Sequence, residues 1–173
     1  AFMGCSKPDC GCDDLSDHPV LFQYDYINHA WGYNHHGFLI EGNGDVHGFL
    51  RPSNWVFPDS AGRISKIDLL FNLEQCDTLY TTLDKKELKG FYDQISQLRN
   101  GKIEDTGVTM NDAGIGTLSA WYWNETAKQY ENVFLVSKGD SNKINTAALV
   151  PEIVDWLVKI GEETDRFFWF KGI

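Results

Sequence analysis

Basic side chains are scarce in this sequence. Its 173 residues include 15 Lys and Arg against 25 Asp and Glu, which gives a formal net charge of −10 and a pI of about 4.8. Nucleic acids and anionic membrane surfaces attract proteins of the opposite charge, so the composition argues against both as partners. An acidic surface instead suits solubility or a basic partner protein.

The motifs of common enzyme classes are also missing. The sequence contains no Gly-x-Ser-x-Gly, no His-Glu-x-x-His and no P-loop. The Gly-x-Gly at 114–116 is not followed by a predicted helix start, so it does not predict a phosphate loop. Asp112 with Glu104 or Asp105 could form a carboxylate pair, but acidic loop residues in such an acidic protein are usually solvated. We therefore predict a non-catalytic protein; the alternative is a hydrolase that uses Cys76 or a histidine.

Cysteine is limited to four positions, Cys5, Cys10, Cys12 and Cys76. This spacing does not match the paired Cys-x-x-Cys arrangement of common zinc sites. Four cysteines permit three complete disulfide pairings, and the spacing does not choose among them. We expect an oxidising compartment, in which Cys76 ties the N-terminal arm to the body. Cys10 and Cys12 are the other disulfide candidates, and no metal or other cofactor is predicted.

Internal repeats and low-complexity segments are absent as well. The length suits one domain with a sizeable core, so we predict a tether over 1–18 and a single domain over 19–173. Alternating patterns and turn signals predict strands at about 20–27, 36–42, 45–51, 104–109, 117–124 and 130–137. Amphipathic stripes predict helices over about 84–100 and from 147 or 151 to 160. The segments 64–71 and 74–82 are strand-like, although the first also suits a short helix. The predicted fold is α+β: an antiparallel meandering sheet of about six strands with two packed helices.

Asn43 and Gly44, between two apolar runs, form the strongest hairpin signal in the chain. In a type I′ turn centred on them, Ile40 faces His47. The side chains then predicted to share one face are His36, Phe38, Ile40, His47 and Phe49. His36 and His47 would be separated by four residues along the ladder, roughly 13 Å. That distance is too great for two ligands of one metal ion.

Aromatic and histidine side chains are concentrated just before this hairpin. Trp and Tyr combine a large contact area with a polar tip, which suits anchoring a partner. The candidate partner-binding residues are Trp31, Tyr33, His35, His36 and Trp55. The alternative is that Trp31 and Tyr33 close one end of the core. His35 and His36 point to opposite faces of a strand, so they are not a chelating pair. Metal binding through His29, His35, His36 or His47 remains a further alternative.

The N-terminal third of the chain resembles a known class of proteins. Residues 26–46 follow an N-x-A-W-G-x…H-x-G…I…G-x-V pattern, and Phe2, Met3, Gly4 and Cys5 are similar to the end of a bacterial lipobox. Phe2 stands where the lipobox usually has Leu. In these features the chain resembles small bacterial lipoproteins of the Bacteroides type. The resemblance implies an envelope location with a lipid anchor on Cys5, and it brings no known activity or catalytic residues.

These patterns together predict a non-catalytic, exported or lipid-anchored envelope protein that binds a macromolecular partner. The partner is expected to be a basic protein, which the chain would bind as an inhibitor or immunity-type protein.

Overall fold

The structure is a computed structural model, and it describes residues 14–30, 32–164, 168 and 170. In chain order the strands are β1 (Phe22–Asn28), β2 (Asn34–Ile40), β3 (Asp45–Leu50), β4 (Arg63–Ile64), β5 (Thr78–Thr82), β6 (Ile103–Gly107), β7 (Ile115–Asn124), β8 (Gln129–Gly139) and β9 (Asn142–Asn145). The helices are α1 (Lys66–Glu74), α2 (Lys85–Tyr92), α3 (Ile95–Leu98) and α4 (Val150–Thr164), preceded by a short 3-10 helix at Leu15–Asp17.

All nine strands belong to one sheet, in the order β5-β3-β2-β1-β7-β8-β9-β6, and β4 also pairs with β8. The pairs between these strands are antiparallel. Strand β1 lies near the centre because it pairs with both β2 and β7. The predicted α+β class and antiparallel sheet are confirmed, but the prediction of six strands is wrong. Strand β5 lies within the segment 74–82 that is predicted to be strand-like. The unpredicted strands β4 and β9 are only two and four residues long, too short for a clear alternating pattern.

The prediction of two helices is also too low, because three helices have eight or more residues and α3 adds a single turn. Within the strand-like segment 64–71 the chain forms the start of α1. Ser65 caps this helix: its hydroxyl accepts from the Asp68 backbone N–H at 3.1 Å and donates to the Asp68 carboxylate at 2.7 Å. This reciprocal cap is a local helix-start signal that outweighs the β-like composition of the segment.

The helix predicted from Asp84 begins as expected, because the Asp84 carboxylate accepts from the backbone N–H groups of Lys86 and Glu87. It is not continuous to residue 100, since a turn at 93–94 separates α2 from α3. The helix predicted from 147 or 151 to 160 is α4, which carries Pro151 in its first turn and continues to Thr164. Gly161 lies within this helix, where a Cβ would collide with the ring of Phe168.

The sheet is covered on both faces. One face packs against α2, α3 and α4 around the buried residues Phe22, Phe38, Leu88, Leu118, Ile153 and Leu157. The other face packs against α1 and the segment that leads into it, around the buried residues Leu39, Phe49, Ile64, Leu69, Trp121 and Tyr130. We call the face that packs against α1 the α1 face. Because the central strands are buried on both sides, their apolar side chains fill both faces.

The β2–β3 hairpin has a different register from the one predicted. Ile40 pairs with Val46 rather than with His47. The Gly44 N–H donates to the Glu41 carbonyl at 3.0 Å, and of the turn residues only Gly44 has a positive φ, 101°. The loop is therefore a three-residue turn ending in a left-handed glycine, not a type I′ turn. A shift of one residue moves the whole of β3 to the opposite face relative to β2, so His47 and Phe49 do not share a face with His36.

Within the described part of the chain, every helix is too short or too polar to cross a membrane.

Candidate functional site

Two polar side chains, Gln23 and Asp25, project from the central strand β1 into the α1 face. The Trp121 indole Nε1 donates to Gln23 Oε1 at 2.8 Å. This bond turns the amide nitrogen of Gln23 toward Asp25, and Asp25 Oδ2 accepts from it. His35 Nε2 lies 2.7 Å from Asp25 Oδ1. Side chains from three adjacent strands thus form one hydrogen-bonded chain, Trp121–Gln23–Asp25–His35, which we call the polar chain.

The strand register brings Asp25 and His35 together. Asp25 lies opposite Gly37, and His35 lies opposite Ile27, so the two side chains are diagonal neighbours on one face. Gly37 has no side chain to separate them. A Cβ at Gly37 would collide with the Tyr24 carbonyl and approach the Phe49 ring at 3.0 Å, so this position requires glycine.

The imidazole of His35 has no exposed surface and is enclosed by aromatic rings. The centroids of Phe49 and Trp55 lie 5.0 and 5.1 Å away, with their planes inclined at 70° and 87°. Phe57 stacks on the imidazole at 5.6 Å, and Tyr33 lies at 6.1 Å. The second ring nitrogen, Nδ1, is buried and has no hydrogen-bond partner among the described residues.

The outer parts of these rings form an exposed aromatic rim. Tyr33 is 48% exposed and Phe57 51% exposed. The loop that carries Phe57 is fixed to α1, because the Val56 N–H donates to Asn72 Oδ1 at 2.8 Å and the Asn72 amide donates back to the Val56 carbonyl at 2.7 Å. The Phe57 ring therefore stands on a loop that is already ordered.

An open cavity of about 630 Å³ lies beside this rim, and Asp25 forms part of its wall. Asp112 and Asp140 contribute two further carboxylates, while its described lining contains neither Lys nor Arg. Burial, together with the charge of Asp25, raises the pKa of Tyr33, so this hydroxyl is neutral at physiological pH. We call this region the aromatic–acidic surface, formed by Tyr33, Trp55, Phe57, Asp25, Asp112 and Asp140.

Three of the five residues predicted to bind a partner meet here: Tyr33, His35 and Trp55. His36 lies on the opposite face of the sheet, where its ring is 4.7 Å from that of Tyr26, so it does not contribute to this surface. Trp31 lies outside the described residues, as do Cys5, Cys10 and Cys12.

Gln23, Asp25 and Phe57 are site residues that were not predicted from the sequence. A signal for the first two was present, because polar residues alternate with Phe22, Tyr24 and Tyr26 in a strand that is otherwise apolar. Such alternation in a strand covered on both faces marks polar groups that need internal hydrogen bonds. Phe57 carried no comparable signal, since its neighbours are typical of a loop.

Cys76 is a free, partly buried thiol in the structure, so the predicted disulfide to the N-terminal arm is not formed here. Burial, followed by the charges of Asp77, Glu41 and Asp25, raises the pKa of Cys76 to about 12. The thiol is therefore protonated at neutral pH, whereas nucleophilic catalysis requires the thiolate.

The revised hairpin register brings Glu41, Asp45 and His47 together at the tip of β2 and β3. One potential ligand atom from each lies within 4.8 Å of the others. His47 Nε2 lies 2.6 Å from Glu41 Oε1, and Thr82 donates to Asp45 at 2.6 Å. Burial and the charge of Asp45 raise the pKa of Glu41, an effect that His47 partly opposes. Glu41 and His47 therefore pair with each other, while Asp45 accepts from Thr82. Of the four histidines weighed as metal ligands, only His47 belongs to such a group in the described part of the chain.

Comparison with known proteins gives no match: no protein-family model, no curated protein and no solved structure is similar to this chain.

Proposed function

We propose that this protein is a non-catalytic binding protein of the cell envelope, and that its aromatic–acidic surface binds a basic protein partner. The observation that supports this most directly is the arrangement around His35. Two half-exposed rings, Tyr33 and Phe57, are fixed over a buried histidine whose hydrogen-bonding carboxylate, Asp25, also lines an acidic cavity.

The rim has the properties of an interaction hot spot. The Phe57 ring supplies apolar area at low conformational cost, because the hydrogen bonds between its loop and α1 and its stacking on His35 already restrict it. A partner that covers Phe57 and Tyr33 would remove large exposed rings from water without first ordering a loop.

The chemistry of the cavity favours a basic partner. Three acidic residues line it, and one of them, Asp25, bonds to the histidine beneath the aromatic rim. Arg or Lys side chains that enter the cavity could pair with these carboxylates. The net charge of −10 would also steer a basic protein toward this chain.

Binding is favoured over hydrolysis by the surroundings of His35. Asp25 and His35 have the geometry of a base and its orienting carboxylate. A triad-type hydrolase also needs a hydroxyl or thiol at the second imidazole nitrogen, and among the described residues none bonds to Nδ1.

The envelope location is a separate prediction, supported by the lipobox-like Phe2, Met3, Gly4 and Cys5. Mass spectrometry of the protein from envelope fractions tests it. We expect a diacyl or triacyl adduct on Cys5; an unmodified Cys5 would contradict the anchor.

The binding surface can be tested with immobilised small basic proteins and size-matched acidic proteins as probes, at about 0.15 M salt. We expect binding to members of the basic set only. Phe57→Ala should weaken that binding about tenfold or more, as loss of a hot-spot ring does. Phe71→Ala is the matched control, because Phe71 is another exposed ring of the same layer, on α1.

A variant that removes one carboxylate tests the acidic part of the surface separately from the aromatic part. Asp112 has a positive φ of 62°, a conformation that Asn tolerates well, so Asp112→Asn removes one charge with little backbone strain. It should lower the association rate with the basic probes, while Asp105→Asn on β6 should not. Equal binding to acidic probes, no binding to either set, or equal effects of the Phe57 and Phe71 variants would reject the proposal.

A further inference from the structure

A second groove lies at the opposite end of the sheet, where the β7–β8 hairpin extends beyond the start of β1. Its volume is about 530 Å³, within the usual range for a small-molecule site. It is bounded by residues that precede β1, by the α2–α3 turn, by the hairpin and by the first residue of α1. None of its lining residues belongs to the aromatic–acidic surface.

One side of this groove is a wall of aromatic rings. His18 packs between Tyr92 and Tyr130, with ring centroids 5.5 and 5.9 Å away. The Trp123 ring lies 4.9 Å from that of Tyr130 and is partly exposed. These four rings line the groove, and successive rings pack against one another. We call this cluster the platform; its aromatic surface suits a ligand with a flat apolar face.

The polar tips of the rings hold this wall in place. The Tyr92 hydroxyl donates to the Trp121 carbonyl at 3.0 Å, and His18 Nδ1 shares a hydrogen bond with the Tyr130 hydroxyl at 3.0 Å. Trp123 Nε1 donates to Glu125 Oε1 at 2.8 Å. Burial raises the pKa of both tyrosines, so their hydroxyls are neutral at physiological pH. The platform is therefore ordered before any ligand binds.

The polar groups around the platform include both donors and acceptors. Its carboxylates are Asp14, Asp17, Asp93 and Glu125, and Lys66 and Ser96 supply donors. Two of these carboxylates are already paired with surface lysines, Asp93 with Lys89 and Glu125 with Lys128, both at 2.7 Å. The lysines offset much of the negative charge, so the groove does not select strongly for a cation.

We propose that this groove binds a neutral carbohydrate. Each sugar hydroxyl both donates and accepts, which matches carboxylates, a hydroxyl and an ammonium group placed side by side. The C–H hydrogens on one face of a sugar ring carry a slight positive charge. That face would pack on the negative π face of Trp123. The volume accommodates a short oligosaccharide, and this site is independent of the protein-binding surface.

The test uses a glycan array of common neutral oligosaccharides, followed by calorimetric titration of the best binders with the full chain. We expect a saturable signal and quenching or enhancement of tryptophan fluorescence. Trp123→Ala should weaken binding at least about tenfold, and Trp123→Phe, which keeps a ring, should retain most of the affinity. Phe71→Ala is the control for loss of an exposed ring elsewhere.

A second variant does not depend on the aromatic wall. Asp17 is exposed, so Asp17→Asn should fold normally and should weaken carbohydrate binding several-fold, whereas Asp105→Asn should not. No binding across the array, binding that is unchanged in Trp123→Ala, or tighter binding of arginine amide than of any saccharide would overturn the proposal. None of these results depends on whether the protein-binding surface functions as proposed.

Discussion

The imidazole of His35 donates from Nε2 to Asp25 Oδ1 across 2.7 Å, while Nδ1 on the same ring is buried without a partner among the described residues. Asp25 is the only acceptor in the polar chain that serves two donors, since Gln23 also donates to it. An unmade hydrogen bond at a buried donor costs about 1–3 kcal/mol. The carboxylate of Asp25 therefore matters for stability as well as for the charge of the cavity.

We accordingly expect Asp25→Ala to lower the free energy of unfolding by about 2 kcal/mol or more, because it leaves donors on Gln23 and His35 unpaired. Urea denaturation followed by circular dichroism measures this. Asp155→Ala on the exposed side of α4 is the control and should change stability by less than about 0.5 kcal/mol. Equal stabilities of the two variants would show that water replaces the Asp25 carboxylate.

Substitution of Gly42 tests the contact between the β2–β3 hairpin and the 3-10 helix, and substitution of Gly90 in α2 is its control. A Cβ at Gly42 would overlap the Leu15 carbonyl and lie 2.7 Å from that of His18. Gly42→Ala should therefore destabilise the protein by about 2 kcal/mol or more. At Gly90 in α2 a Cβ meets no atom within 4 Å, so Gly90→Ala should stabilise by about 0.5–1 kcal/mol. A neutral Gly42→Ala would contradict the close approach.

The reactivity of Cys76 should be low in the folded protein. Because its thiol has a pKa of about 12, the thiolate fraction at pH 7 is very small, and it rises with pH. In a variant with Cys5, Cys10 and Cys12 changed to Ser, we expect slow reaction with a thiol reagent at pH 7 and rapid reaction in urea. Fast modification of the native protein at neutral pH would restore Cys76 as a candidate nucleophile. In the unaltered chain, a Cys76 disulfide found by non-reducing peptide mapping would support the original pairing.

Glu41 and Glu131 should affect the pH dependence of stability in opposite directions. Burial raises the pKa of Glu41, so the folded protein holds this proton to a higher pH than the unfolded chain does. The free energy of unfolding contributed by Glu41 therefore falls as the pH rises above about 4.5, the usual pKa of Glu. Glu41→Gln should remove this pH-dependent loss of stability. Hydrogen bonds from Asn124 and Arg99 lower the pKa of Glu131. Glu131 therefore stabilises the fold above the usual Glu pKa of about 4.5, and this stabilisation is lost as the pH falls.

The measurement is the urea midpoint of each variant relative to the unaltered protein between about pH 3.5 and pH 7. Glu41→Gln should gain relative stability toward pH 7, while Glu131→Gln should lose it. Parallel curves for the two variants would contradict the assigned directions.

The β2–β3 hairpin shows how far local patterns could predict the fold. Asn43 and Gly44 correctly marked the position of the turn, because a left-handed glycine is a local requirement. They did not predict the register, since Gly42 is held against the 3-10 helix by a bond from its N–H to the His18 carbonyl at 3.1 Å. That contact joins parts of the chain 24 residues apart. The observed register places His47 on the face that Glu41 shares.

The residues of the candidate site could likewise be predicted only in part from the sequence. Tyr33, His35 and Trp55 could be singled out because aromatic and histidine side chains are concentrated near one hairpin of the sequence. Phe57 could not, since only the hydrogen bonds between its loop and α1 bring it over the His35 ring.

The sequence by itself determined the acidity of the protein, its α+β class and the start of α2 at the Asp84 cap, because charge, alternation and capping act within a few residues along the chain. Only the tertiary structure decided that Trp121, Gln23, Asp25 and His35 form one polar chain. The hydrogen bond from Trp121 to Gln23 spans 98 residues, and that from His35 to Asp25 spans 10. Such contacts depend on which strands are neighbours and in which register, and these are set by the packing of both sheet faces together rather than by any one segment.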